Sequence, residues 1–222
     1  MDYTAAISKE YTAGFTEIVS EDFGCALLRQ SIAELDRTSC IVDVGCGGGE
    51  ALASYHEMGF TNLIGIEPSE SFRKTASSAL KETTTILDGH FEKLPLADAS
   101  VDALISRYSL HYCPDVGVAL AEAARVMKPD AVWASIIGHP DYDQKHADKN
   151  TGYVSYTLFN KSVAITYPAH PMDAYIGKNF STYFDLIKVV PHVSACLDDV
   201  PAHEMAAFFF SGKRNHHPHS TQ

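Results

Sequence analysis

Hydrophobic and polar positions along this chain switch repeatedly between a helical and a strand-like period. Leu28, Ile32 and Leu35 fall at i, i+4 and i+7, flanked by Phe23 and Leu27, so the first forty residues read as helical. Short apolar runs then predict strands at Cys40–Val44, Asn62–Ile66, Thr83–Leu87, Val101–Ser106 and Ala131–Ile137. Helical stripes separate them. Ala51, Tyr55 and Met58 form one; Phe72, Ala76 and Ala79 form another, opened by Ser69 as N-cap and Glu70 in its first turn. Val116, Leu120, Ala123 and Met127 form a third, which stops before Lys128-Pro129. Strands alternating with helices imply right-handed crossovers and a mostly parallel sheet with helices on both faces.

Beyond Gly138 the pattern loosens. Residues 139–171 show no clear period, and long insertions of this kind often cover active sites. A short helix is expected over Met172–Lys178, and two last strands over Leu186–Val190 and Ala206–Ser211, seven in all. No repeat or linker separates a second domain. The expected organisation is therefore one domain over 1–222: a helical cap (1–39), a core (40–137), an insertion (138–180), final strands (181–212) and a frayed tail (213–222).

Composition narrows the function. Of 222 residues, 45% are hydrophobic and 20% charged, as in ordinary globular domains. The formal net charge of −11, with no basic run, disfavours a grip on a phosphate backbone, so nucleic acid is not expected as a partner. The five cysteines (Cys25, Cys40, Cys46, Cys113, Cys196) form no paired or zinc spacing and read as reduced thiols. No signal peptide is visible, and no apolar stretch approaches the roughly 18–20 residues of a membrane span. The expectation is a cytoplasmic protein without a membrane partner, a monomer or homodimer.

The richest stretch is Ile41-Val42-Asp43-Val44-Gly45-Cys46-Gly47-Gly48-Gly49-Glu50. A strand that feeds a helix through a glycine turn can bring bare backbone N–H groups close to a ligand. A dinucleotide fingerprint needs G-x-G-x-x-G, and Glu50 stands where its third glycine belongs. Glu67 follows the second strand directly, where an acidic side chain can accept both hydroxyls of a ribose.

This G-x-G-x-G turn resembles that of Rossmann-like (class I) S-adenosylmethionine (AdoMet) methyltransferases. The segment Gly89-His90-Phe91-Glu92-Lys93-Leu94-Pro95-Leu96-Ala97-Asp98-Ala99-Ser100-Val101-Asp102 resembles the G-D-a-e-x-L-P-f-x-d-x-s-F-D segment of their small-molecule type. Arg125-Val126-Met127-Lys128-Pro129-Asp130 is similar to their R-v-L-K-P-G-G. The resemblance covers residues 41–137 in the family's order. It implies a doubly wound α/β fold, AdoMet as cofactor, S-adenosylhomocysteine as product, and a small-molecule methyl acceptor.

Position by position, the resemblance implies that Asp43 orients the glycine loop and that Gly45, Cys46, Gly47 and Gly49 cradle the methionine moiety. Glu67, with Pro68 beside it, would hold the ribose, and His90 and Phe91 would meet the adenine. Ser106, Arg107 and Tyr108 through His111 would line the cleft beside the sulfonium. His90 stands where the family has Asp; a neutral imidazole can accept through one nitrogen and a protonated one cannot. Asp130-Ala131 replaces the family's Gly-Gly.

His111 corresponds to a His common in the family and is the candidate for proton removal or substrate positioning, with a packed structural histidine as the alternative. Tyr167-Pro168-Ala169-His170-Pro171-Met172-Asp173-Ala174-Tyr175 resembles a segment that caps the acceptor pocket. His170 and Tyr175 are therefore candidate acceptor contacts, together with His139, Tyr108 and Tyr11. The group His139, Asp141, Asp143, His146 and Asp148 shows no ordered ligand spacing, so a solvated loop is expected there and no metal. Two other readings stay open: a non-catalytic AdoMet-binding module, and a nicotinamide-dependent oxidoreductase.

Overall fold

A computed structural model describes residues 23–81, 84–158, 163–192 and 207–216. Helix α1 (Phe23–Ile32) precedes the alternating units β1 (Cys40–Val44), α2 (Glu50–Glu57), β2 (Asn62–Ile66), α3 (Glu70–Leu80) and β3 (Thr84–Leu87). Then come β4 (Val101–Arg107), α4 (Val116–Val126) and β5 (Met127–Gly138). The sheet has seven strands in the order β3-β2-β1-β4-β5-β9-β8, where β8 is Phe184–His192 and β9 is Ala207–Arg214. The first five strands in that order are parallel, and β9 and β8 are added antiparallel.

Adjacent strand residues serve opposite faces of this sheet, which explains the continuous apolar runs. Val42, Val44, Leu104, Trp133, Phe208 and Phe210 join one core with Leu120, Ala123 and Ala124 of α4. Ile41, Leu63, Ile105, Ile136 and Phe209 join the other with Leu28 and Ile32 of α1 and Leu52 and Tyr55 of α2.

The start of α3 follows its sequence signal, since the Ser69 hydroxyl accepts from the Phe72 N–H. The motif residues near α4 have structural duties. Arg125 donates to Glu122, Asp98 and the carbonyls of Leu94 and Leu96, and so pins the 94–98 loop to α4. Lys128 lies 2.8 Å from Asp102 of β4. Asp130 takes a φ of +63°, the left-handed conformation that Asp tolerates better than most residues.

Four expectations need correction. β5 begins at Met127 rather than Ala131, because the chain leaves α4 directly into pairing with Val101 and resumes after an irregularity. The helix expected over 172–178 is two, α6 (Met172–Ile176) and α7 (Lys178–Tyr183), separated at Gly177, where a Cβ would overlap the Asp173 carbonyl. β9 runs on to Arg214, past the expected start of the tail, and the buried Arg214 side chain donates to the Ala124 carbonyl of α4. The described residues of 139–171 are not irregular. They form α5 (Pro140–His146) and an antiparallel hairpin of β6 (Tyr153–Leu158) and β7 (Val163–Pro168). Pro140 at the helix start, Asp141 and Asp143 in its first turn and Lys145 and His146 in its last are ordinary helix signals. Asp143, expected in a solvated loop, is 3% exposed.

Candidate functional site

A cavity of about 600 Å³ opens at the carboxyl ends of β1, β2 and β4. This is where ligands of open parallel sheets bind, and its size falls within the roughly 300–1,000 Å³ usual for small-molecule sites. The glycine loop forms one wall. Gly45, Gly47 and Gly49 have φ values of +77°, +55° and +93°, so the backbone itself calls for glycine there. At Gly45 a Cβ would also overlap Ser109, whose hydroxyl bonds to the Val44 carbonyl and to Ser106 Oγ.

The loop's N–H groups are used differently from the sequence expectation. Those of Gly45 and Cys46 donate to the Ile66 carbonyl at 2.7 and 3.2 Å, and that of Gly49 donates to Cys46. The Gly47 N–H donates to Glu67 Oε2 at 3.1 Å. These four donors are committed within the protein, which leaves the loop few N–H groups to offer a phosphate.

Carboxyl groups face the cavity instead: Asp43, Glu50, Glu67 and Glu92 line it, with Arg107 and His90. Glu67 is 6% exposed and also accepts from the Ser69 N–H at 2.9 Å, clamping the ends of β1 and β2 together. Burial raises its pKa, against the lowering effect of these backbone donors and Arg73. Asp43 is buried, and its Oδ1 finds no hydrogen-bond partner among the described residues. Burial pushes its pKa up to about 7; Arg107 opposes this, while Glu50 and Glu67 add to it. Glu50 is also raised by burial, and its Oε1 has no partner among the described residues. Orphaned buried carboxyl oxygens beside an apolar cavity suit a cationic ligand.

Residues 42–134 match the family described as a methyltransferase domain. A 92-residue stretch is 35% identical to an uncharacterized methyltransferase of a Geobacillus species, covering 40% of this chain and 43% of that protein. Over 100 residues the chain is 33% identical to the dimethylglycine N-methyltransferase of Parasynechococcus marenigrum, covering 43% of this chain and 36% of the other. These matches thus span less than half the length of both relatives. The crystal structure of an AdoMet-dependent methyltransferase from Mesorhizobium loti superposes with a TM-score of 0.69 at 20% identity, covering 88% of this chain and all of the other. Residues 42–134 thus resemble methyltransferase domains, and the fold is the one seen in AdoMet-dependent methyltransferases of known structure.

Around this cavity the sequence candidates separate into two groups. Asp43, Gly45, Cys46, Gly47, Glu67, Pro68, His90, Phe91, Arg107 and Tyr108 all line the cavity. Gly49, Ser106, His111, His139, His170 and Tyr175 are not among its lining residues. Gly49 caps α2 and lies against Leu80 and Ala76 of α3, so close helix packing accounts for it. Ser106 is fully buried and links β4 to the loop through Ser109. His170 pairs with the Cys113 carbonyl at 2.8 Å, Tyr175 is buried against Phe210, and His139 meets the edge of Phe208. Tyr11 lies outside the described residues.

His111 is 2% exposed and stacks on Tyr167 and Tyr112 at centroid distances of 4.1 and 4.5 Å. Burial, with His170 nearby, pushes its pKa down to about 3. An imidazole that binds protons so weakly is poorly suited to remove one. Sequence reasoning missed Glu50, Glu92, Tyr112, Tyr153 and Thr166 as lining residues. Tyr153, Thr166, Tyr167 and Pro168 arrive on the β6–β7 hairpin, whose period-2 alternation was the available signal.

Proposed function

We propose that this protein is an AdoMet-dependent methyltransferase acting on a small-molecule acceptor in the cytoplasm, as a monomer or homodimer. The observation that carries the reading is the charge of the cavity. Carboxyls at Asp43, Glu50 and Glu67 surround a loop whose N–H donors at 45, 46, 47 and 49 are already bonded. A pyrophosphate would meet repulsion there, whereas a ligand bearing sulfonium and ammonium groups would meet opposite charge. This also weighs against a nicotinamide dinucleotide.

In this reading Glu67 accepts from the ribose hydroxyls with the lone pairs left by Gly47 and Ser69, and Phe91 packs against the adenine. His90 can stand in for the family's Asp. Its Nδ1 lies 3.0 Å from Glu92 Oε2, and a carboxylate only accepts, so the ring proton sits on Nδ1. In its neutral form the ring would then offer the Nε2 lone pair to the adenine amino group. Asp43 and Glu50 face the cationic methionine end.

AdoMet supplies a methyl group already activated by its positive sulfur, and transfer is an in-line displacement. The protein's task is alignment and exclusion of water; well-oriented systems gain roughly 7–11 kcal/mol from proximity. The tyrosine faces of Tyr108, Tyr112 and Tyr167 suit positive charge, worth about 0.5–2 kcal/mol. The hairpin encloses the cavity on the acceptor side, which favours a small acceptor over a polymer, in keeping with the relative named for dimethylglycine.

Calorimetric titration with AdoMet, S-adenosylhomocysteine and NADH tests the cofactor. AdoMet and its product should bind, and NADH binding without AdoMet binding would overturn the proposal. A small-molecule acceptor screen scored by S-adenosylhomocysteine release then tests turnover; binding without any turnover would favour a non-catalytic module.

A further inference from the structure

We propose that Asp143 is a positioning residue, which holds the β6–β7 hairpin over the cavity through two tyrosine hydroxyls and thereby sets the Tyr167 wall of the acceptor side. This rests on the cofactor and acceptor reading given above. Asp143 lies on α5, just beyond the end of β5, and is 3% exposed. Its Oδ1 accepts from the Tyr156 hydroxyl of β6 at 2.7 Å and from the Tyr167 hydroxyl of β7 at 3.3 Å. One buried carboxylate therefore ties both strands of the hairpin to the helix that follows the carboxyl end of β5.

The fit around it is close. At Gly138 of β5 a Cβ would stand 2.6 Å from the Tyr167 hydroxyl and 2.7 Å from Asp143 Oδ2, so only glycine lets these groups meet. The hairpin belongs to a separate two-stranded sheet and, among the described residues, shares no strand pairing with the main one. Two strands alone are marginal in water, so side-chain anchors decide where such a hairpin rests.

From Asp143 the contact runs to the cavity in one step. The Tyr167 hydroxyl turns toward the carboxylate, while its ring stacks on His111 and lines the cavity. Tyr112, which meets Tyr167 edge-on at a centroid distance of 5.3 Å and also contacts His111, lines the cavity too. With its hydroxyl engaged, Tyr167 presents ring rather than donor to whatever binds. Tyr156 is not among the lining residues, so any effect of changing it on ligand release must pass through hairpin position.

The test compares full-length wild type, Asp143→Asn and Tyr156→Phe at one pH. Hydrogen exchange of the hairpin strands is followed by mass spectrometry, and S-adenosylhomocysteine dissociation by stopped-flow. An amide at position 143 accepts more weakly than a carboxylate, and the Tyr156→Phe change removes one donor without touching the carboxylate. Each variant should exchange its hairpin amides about tenfold faster or more, the scale of one hydrogen bond to a charged group. Exchange in β1 and β4 should stay unchanged, and the product should leave several-fold faster.

Unchanged hairpin exchange in both variants would overturn the proposal, as would equal acceleration in β1 and β4. Faster hairpin exchange with unaltered product release would reduce Asp143 to a structural anchor and also overturn it. If wild type binds no S-adenosylhomocysteine, the cofactor reading falls, and the exchange arm alone decides whether Asp143 holds the hairpin.

Discussion

Glu67→Ala is the sharpest perturbation of the cofactor site. In the free protein the carboxylate receives the N–H groups of Gly47 and Ser69 at 3.1 and 2.9 Å. Each bond to a charged group is worth about 1.5–3 kcal/mol net. Removing the carboxylate leaves both donors to water entering from the cavity, which recovers part of that, and it also ends the cost of burying the charge. Stability should therefore fall by only about 1–2 kcal/mol. In the complex two further bonds of the same class, to the ribose hydroxyls, are lost. At the low end of their worth this is about 3 kcal/mol, or a loss of affinity of roughly 10²-fold. Glu67→Gln should lose nearly as much, because its amide nitrogen must face either a backbone donor or a hydroxyl that would otherwise donate. Calorimetry with S-adenosylhomocysteine measures the affinity, and urea unfolding measures the stability. A Kd within twofold of wild type for the Ala variant, with the fold intact, would refute the assigned ribose contact.

On the proposed reading, Asp43 should make cofactor affinity depend on pH. Its raised pKa of about 7 means that the group's stabilising contribution to the free protein is complete below the unfolded value and is lost as pH rises through about 7. A cation beside it prefers the ionised form, so AdoMet should bind more weakly as pH falls from 8 to 6 and should release a proton near neutrality. Titrations in buffers of different ionisation enthalpy report that proton; a heat independent of buffer would count against it. Gly45→Ala should cost several times more stability than Gly47→Ala in urea unfolding, since both have positive φ but only Gly45 lacks room for a Cβ. The latter should cost about 1–2 kcal/mol, and equal losses would contradict the close approach to Ser109. His111→Phe should keep methyl transfer within about tenfold, because the ring packs against two tyrosines and binds protons weakly. A drop of about 10²–10⁴, the usual worth of a general base, would return His111 to that role.

Much of this was legible in the residues. The strands β1 and β2 begin and end where the sequence pattern puts them: β1 is buried along its whole length, and β2 is buried or half-buried from Leu63 on. The helix after Ser69 starts at its own cap for purely local reasons. Legibility failed where the controlling contact was distant. The hairpin at 153–168 is short, half exposed and rich in tyrosine and threonine, so its alternation is masked without the cavity it faces. Gly49 looked like its neighbours in the loop, yet its reason lies on α3, about thirty residues downstream. His111 carries no mark in sequence of the burial that removes its basicity.

The order of strands, helices and motifs determined the sheet's architecture and placed a glycine turn and Glu67 at its carboxyl edge, since periodicity and turn chemistry are local properties. Only the tertiary structure decided what that turn offers a ligand. The N–H groups of Gly45, Cys46, Gly47 and Gly49 are consumed by Ile66, Glu67 and Cys46, and carboxyl groups line the site beside them. It also decided that Asp143, which reads as a surface acid, lies buried between two tyrosines at the cavity's edge. Hydrogen-bond partners and burial are set by segments far apart in the chain, and no spacing along it records them.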